Sequence, residues 1–188
     1  MVSIIVEGKD DEKFIVKYLA HLSSKEYINL NSQNFSQFTQ IMGSKSKLLD
    51  SNNDKYLKIT QQIKQSKIKK VLFIFDCDFE EDDNRCGGIE NSKKCFIKLI
   101  EELSWSIPID LYIFDKNLDY FLLETIKDKK CYQDFENLEK CLEVEKIKKN
   151  KKPIANLYRD LYPNEGFDFS HPNFNELKEK LINLFKEE

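Results

Sequence analysis

The chain is poor in the residues that break or staple a fold. Only 5 glycines and 4 prolines occur in 188 residues, which excludes collagen-like and low-complexity architectures and leaves few forced turns. Histidine is scarce as well: His21 and His171 stand apart, and a lone histidine at a helix end or before a proline is structural sooner than a metal ligand. The cysteines Cys77, Cys86, Cys95, Cys131 and Cys141 never form a C-x-x-C pair, and Met1, Val2 and Ser3 open no signal peptide. They are expected to be reduced thiols of a cytoplasmic protein, neither a disulfide frame nor a zinc site. No apolar run approaches the length of a membrane span, so no membrane is expected. There is no P-loop, dinucleotide fingerprint, H-E-x-x-H or nucleophile elbow. A strong charge of one sign is missing too, since 30 basic and 33 acidic residues leave a net charge of -3. Non-specific coating of nucleic acid is therefore excluded, and contact would need local patches. Two exist, Lys64, Lys67, Lys69 and Lys70, then Lys146, Lys148, Lys149, Lys151 and Lys152; such runs are usually solvated helix ends.

What the chain does have is 40% apolar and 34% charged residues, enough for one substantial core. Its centre is the run Val71, Leu72, Phe73, Ile74, Phe75, which predicts a strand buried on both faces, as in a parallel sheet. The run stops at Asp76, Cys77 and Asp78. If the backbone stays extended, both carboxylates leave one face and Cys77 the other. A first strand is predicted over Val2–Val6, broken by Glu7, Gly8, Lys9 and Asp10. Asp10 or Asp11 then caps a helix carrying Phe14, Ile15, Tyr18, Leu19 and Leu22 at helical spacing. A second strand is expected over 27–30, helix over 44–67 with a break at 51–54, helix over 92–103, and a strand over Ile109–Phe114 after Pro108. This β-α-β-α-β-α-β order predicts an α/β fold, a Rossmann-like parallel sheet with helices on both faces. Further helices over 120–127, 133–149, 154–161 and Asn175–Phe185 form a helical C-terminal extension. Residues 1–118 are the expected core and 119–188 an extension packed on it, in one structural domain.

In such a sheet with first and third strands adjacent, Glu7, Asp76 and Asp78 meet at the carboxyl edge, where open α/β sheets bind ligands. Unpaired carboxylates repel one another, and oxygen-only ligation selects Mg²⁺ or Mn²⁺. Such an ion grips phosphate, which implies metal-assisted phosphoryl or phosphodiester chemistry. Gly8 lets a substrate approach the backbone. Lys9 reads equally as a phosphate contact and as a solvated side chain. Asp11 reads as a helix-capping residue before a ligand, and Glu124 as a further candidate carboxylate beside Asp119, which reads equally as a cap. An EF-hand starting at Asp76 fails, because Glu81 falls where glycine is needed and Gly87 where the closing glutamate belongs.

The hydrophobic strand followed by Val6, Glu7, Gly8, Lys9, Asp10 and Asp11, with Phe75, Asp76, Cys77 and Asp78 closing the third strand, resembles the TOPRIM domain. That domain is shared by type IA and II topoisomerases, bacterial primases, maturation ribonucleases, recombination mediators and OLD-type nucleases. The Glu-Gly-Lys-Asp-Asp form is most similar to the maturation ribonucleases. The strand from Leu111 to Phe114, with Leu118 to Glu124 after it, resembles small stand-alone TOPRIM-related bacterial proteins. The resemblance implies that Glu7 is a general acid/base or metal ligand, that Asp76 and Asp78 hold Mg²⁺, and that the substrate is RNA or DNA. The chain departs from the ribonuclease pattern over 79–85, where acidic residues replace a short turn and would repel a phosphate backbone. No tyrosine is placed as a nucleophile for strand passage. Two functions are expected: a Mg²⁺-dependent nuclease, or a non-catalytic TOPRIM-like protein acting through a protein or nucleic-acid partner. Phosphate transfer on a small molecule is a third.

Overall fold

The computed structural model describes residues 1–30, 34–78, 80, 83, 85–125, 133, 137 and 167–186. The elements are β1 (Val2–Val6), α1 (Lys9–Ser24), β2 (Thr39–Ile41), α2 (Lys45–Leu48), α3 (Asp54–Lys64), β3 (Lys70–Asp76), α4 (Ile89–Leu103), β4 (Ile109–Phe114), α5 (Leu118–Glu124) and α6 (Asn175–Phe185). The strands form one parallel sheet in the order β2-β1-β3-β4. First and third strands are thus neighbours, with Val6 opposite Ile74.

Strand alternation divides the core into two layers. Ile4, Val6, Leu72, Ile74, Tyr112 and Phe114 face α1, α5 and α6, while Ile5, Val71, Phe73 and Phe75 face Met42, Leu48, Tyr56, Ile59, Phe96 and Leu99. Helices therefore cover both faces, and α6 supplies Leu177, Leu181 and Leu184 to the first layer. The two histidines do structural work. His21 stacks near Tyr18 and Phe169, and His171 caps the turn at Pro172–Phe174. No described helix is long and apolar enough to cross a membrane.

Three expectations are corrected. The second strand is Thr39–Ile41, not 27–30. The latter segment is consumed in ending α1: Glu26 takes φ 58 and Tyr27 N–H returns to Leu22 O at 3.0 Å, so it cannot also serve a ladder. Second, Cys86 and Cys95 form a disulfide with 6.0 Å between Cα atoms. The loop ahead of α4 folds back along that helix, a proximity that a nine-residue separation does not advertise. Cys77 is a buried free thiol, whereas Cys131 and Cys141 lie outside the described residues. Third, α1 begins after an N-cap at Gly8, and Asp11 caps by reaching back, its Oδ2 accepting Gly8 N–H at 2.7 Å. The helices expected over 133–149 and 154–161 also lie outside the described residues, apart from positions 133 and 137.

Candidate metal centre

Two strands and three turns bring the acids together. Glu7 leaves β1 where the chain after β2 wraps it: Met42 N–H donates to Val6 O, and Gly43 N–H to Glu7 O at 2.7 Å. Gly43 does so at φ +109, a left-handed conformation that a side chain would strain. Asp76 is the last residue of β3, and its Oδ1 accepts Leu118 N–H at 3.1 Å from the start of α5. Asp11 comes from the first turn of α1.

The backbone does not stay extended through Asp78. That residue turns to φ 56, with its N–H given to Lys116 O at 2.8 Å. Cys77 donates N–H to Phe114 O, and Gly88 N–H reaches back to Cys77 O and Asp78 O at 3.1 and 3.2 Å. Gly88 is favoured by φ +76, and an added Cβ would lie 2.7 Å from the Glu80 side chain, which would have to move aside.

Electrostatics follow from this crowding. Burial pushes the Asp76 carboxyl up to about 9, with the charges of Asp11, Glu7 and Asp78 adding to it. Glu7 is pushed up to about 7 by burial and then by Asp11, against the Lys45 backbone N–H, which favours the carboxylate. Asp11 rises to about 6 through burial, opposed by its bond from Gly8 N–H. Glu7 Oε2 is buried and has no hydrogen-bond partner among the described residues. Buried acids that hold protons near neutrality lack a cation close enough to stabilise their charge.

One cation does enter the neighbourhood, and sequence reasoning missed it. Lys45 is 6% exposed. Its Nζ donates to Cys77 O at 2.6 Å, Cys86 O at 2.9 Å and Asp78 Oδ2 at 3.3 Å, and lies 3.7 Å from Asp83 Oδ2. The available signal was spacing: Lys45 lies three residues before Leu48, on the buried face of α2. Asp83, from the acidic loop, also accepts N–H groups of Arg85 and Cys86. These bonds, led by the one from Cys86, hold its carboxyl below the usual range, so its charge is matched inside the protein.

Glu7, Asp11, Asp76 and Asp78 thus form one electrostatically linked group, and Asp119 in α5 joins it through Asp11. Glu124 is the exposed last residue of α5, Lys9 is exposed on the first turn of α1, and Asp10 pairs with Lys13 at the surface. The basic group Lys64 to Lys70 lies at the amino end of β3, opposite the acidic edge, and the second lysine cluster falls outside the described residues. As placed, no three His, Cys, Asp or Glu side chains among the described residues stand in metal-binding geometry. The donor chemistry nevertheless fits a hard divalent ion. Glu7 has an orphaned buried carboxylate oxygen, it is coupled to acids raised by burial and then by one another's charge, and every donor is oxygen.

Residues 2–81 match the family model described as the Toprim domain. The match spans β1 to the end of β3 and so includes Glu7, Lys45, Asp76 and Asp78. No curated protein and no solved structure matches the chain.

Proposed function

We propose that this chain, which carries a TOPRIM-like domain over residues 2–81, performs Mg²⁺- or Mn²⁺-dependent phosphodiester hydrolysis or transfer on RNA or DNA in the cytoplasm. The observation that carries the reading is the buried, partnerless Glu7 Oε2 beside Asp76. Glu7 and Asp76, with Asp78, would hold the ion, which when bound supplies Lewis acidity towards a phosphate oxygen and a lowered pKa for bound water. In the metal-free protein the Glu7 carboxyl titrates at about 7; if Asp76 and Asp78 hold the ion and leave Glu7 free, it is suited to exchanging a proton with water or a leaving oxygen near neutral pH. Leu118 N–H fixes the orientation of Asp76, and the capping bond from Gly8 N–H fixes Asp11 behind it. Residues 1–118 are taken as the core that carries the site and 119–188 as its extension.

A second reading has one observation in its favour. Lys45 already partners Asp78, as in a site that had given up metal and kept the fold for a protein or nucleic-acid partner. A cleavage assay on structured RNA and nicked DNA with Mg²⁺ or Mn²⁺ separates the two. Metal-dependent cleavage that falls about a thousandfold in Glu7→Gln supports the nuclease, on the usual scale for loss of a general acid/base. Wild type no faster than Glu7→Gln supports the non-catalytic protein.

A further inference from the structure

The Lys45 ammonium has three N–H donors, and three acceptors take them: Cys77 O, Cys86 O and Asp78 Oδ2. With Asp83 Oδ2 at 3.7 Å, the group sits, among the described residues, in a cage made only of oxygen, two carbonyls and two carboxylates. Such a set, mixing backbone carbonyl and carboxylate oxygen, is what a hard cation selects. The rest of the centre is different in kind. Glu7 Oε2 has no partner among the described residues, and Asp76 accepts a bond from the Leu118 backbone N–H. The lysine is also fixed at its root. Ser44 caps α2, and the buried Ser92 Oγ donates to the same Cys86 O at 2.6 Å, which holds that carbonyl in place.

We propose that Lys45 is a built-in cation occupying one of two cation positions at this edge, so that the protein takes one divalent ion, on the Glu7 and Asp76 side, and not two. Lys45 is then a positioning residue. It neutralises Asp78 and Asp83, fixes the Asp78 carboxylate, and restricts the centre to single-ion chemistry. With every donor engaged, it is not a proton donor or a phosphate contact. The proposal rests on the reading of this edge as a metal centre.

The test counts ions with Mn²⁺ alone, from the loss of the free-Mn²⁺ electron paramagnetic resonance signal on titrating full-length protein, with circular dichroism to confirm folding. Wild type is expected to bind one Mn²⁺ per chain. Lys45→Met, which removes the charge and keeps the bulk, is expected to bind two, the second within the vacated oxygen cage, while Lys45→Arg stays at one. Lys45→Gln, which keeps a donor for Cys77 O without the charge, serves if Lys45→Met does not fold and is also expected to bind two. Two ions in wild type, or one ion in a folded uncharged variant, overturns the proposal and leaves the metal-centre reading standing. No ion in wild type overturns both.

Discussion

The two halves of the acidic edge answer the same problem in opposite ways. Around Asp78 and Asp83, excess negative charge is met from within, by a buried lysine whose three donors are all used. Around Glu7, Asp11 and Asp76 no ion pair meets it among the described residues. The carboxyls are raised to about 7, 6 and 9 and one oxygen of Glu7 is orphaned. A satisfied network stabilises and specifies a structure, whereas an unsatisfied one costs stability unless a ligand completes it. On the proposed reading the ion sits on the Glu7 and Asp76 side, and Asp78, paired with Lys45, joins that side to the satisfied half.

The largest expected effect comes from cutting the unsatisfied half. Asp76→Asn should weaken Mn²⁺ binding about a hundredfold or more, since a carboxylate ligand becomes a neutral amide. It should also stabilise the metal-free protein by about 2 kcal/mol at pH 8, roughly 5 °C in Tm. The sign follows from the raised acidity constants. Asp76 titrates at about 9 in the fold against 3.8 as its ordinary value, so its contribution to stability is complete below about pH 4 and is lost as pH rises through about 9. Glu7 adds a smaller loss between about 4.5 and 7. Thermal melts of metal-free wild type should therefore fall steadily from pH 5 to 9, and Asp76→Asn should remove most of that fall.

Cutting the satisfied half should cost stability instead. Lys45→Met leaves Cys77 O and Cys86 O without their lysine donor and Asp78 without its ion pair. Because Asp78 is partly exposed, the loss is about 2 kcal/mol, below that of a fully buried pair. Denaturant unfolding measures it. A smaller effect is expected at Gly88→Ala, where positive φ and the Glu80 side chain oppose a Cβ. About 1 kcal/mol is expected, with Mn²⁺ binding nearly unchanged because the strain falls on the loop behind Asp78.

Much of this division was legible in sequence. An apolar run ending in two aspartates, and a β-branched strand ending in Glu-Gly, marked the two strand ends that meet, and parallel topology placed them side by side. The less legible parts were set by tertiary packing. A three-residue strand, Thr39–Ile41, carries too little periodicity to be seen, so the stronger apolar signal at 27–30 attracted the assignment although a helix terminus claims that segment. Asp78 was expected in extended backbone, and its left-handed turn arises from bonds to Lys116 and Gly88. Lys45 stands between serines in a polar stretch, where a solvated lysine is the ordinary expectation. Only the three-residue step to Leu48 hinted that it points inward.

The most direct test of the central claim is calorimetric titration of Mn²⁺ at pH 7 in two buffers of different ionisation enthalpy, which yields the protons released per ion bound. With Asp76 titrating at about 9 and Glu7 at about 7, the metal-free edge carries protons that an ion must displace. The account predicts release of about one proton or more per Mn²⁺, abolished with the binding in Asp76→Asn. Binding without proton release, or release that persists undiminished in Asp76→Asn, would contradict it.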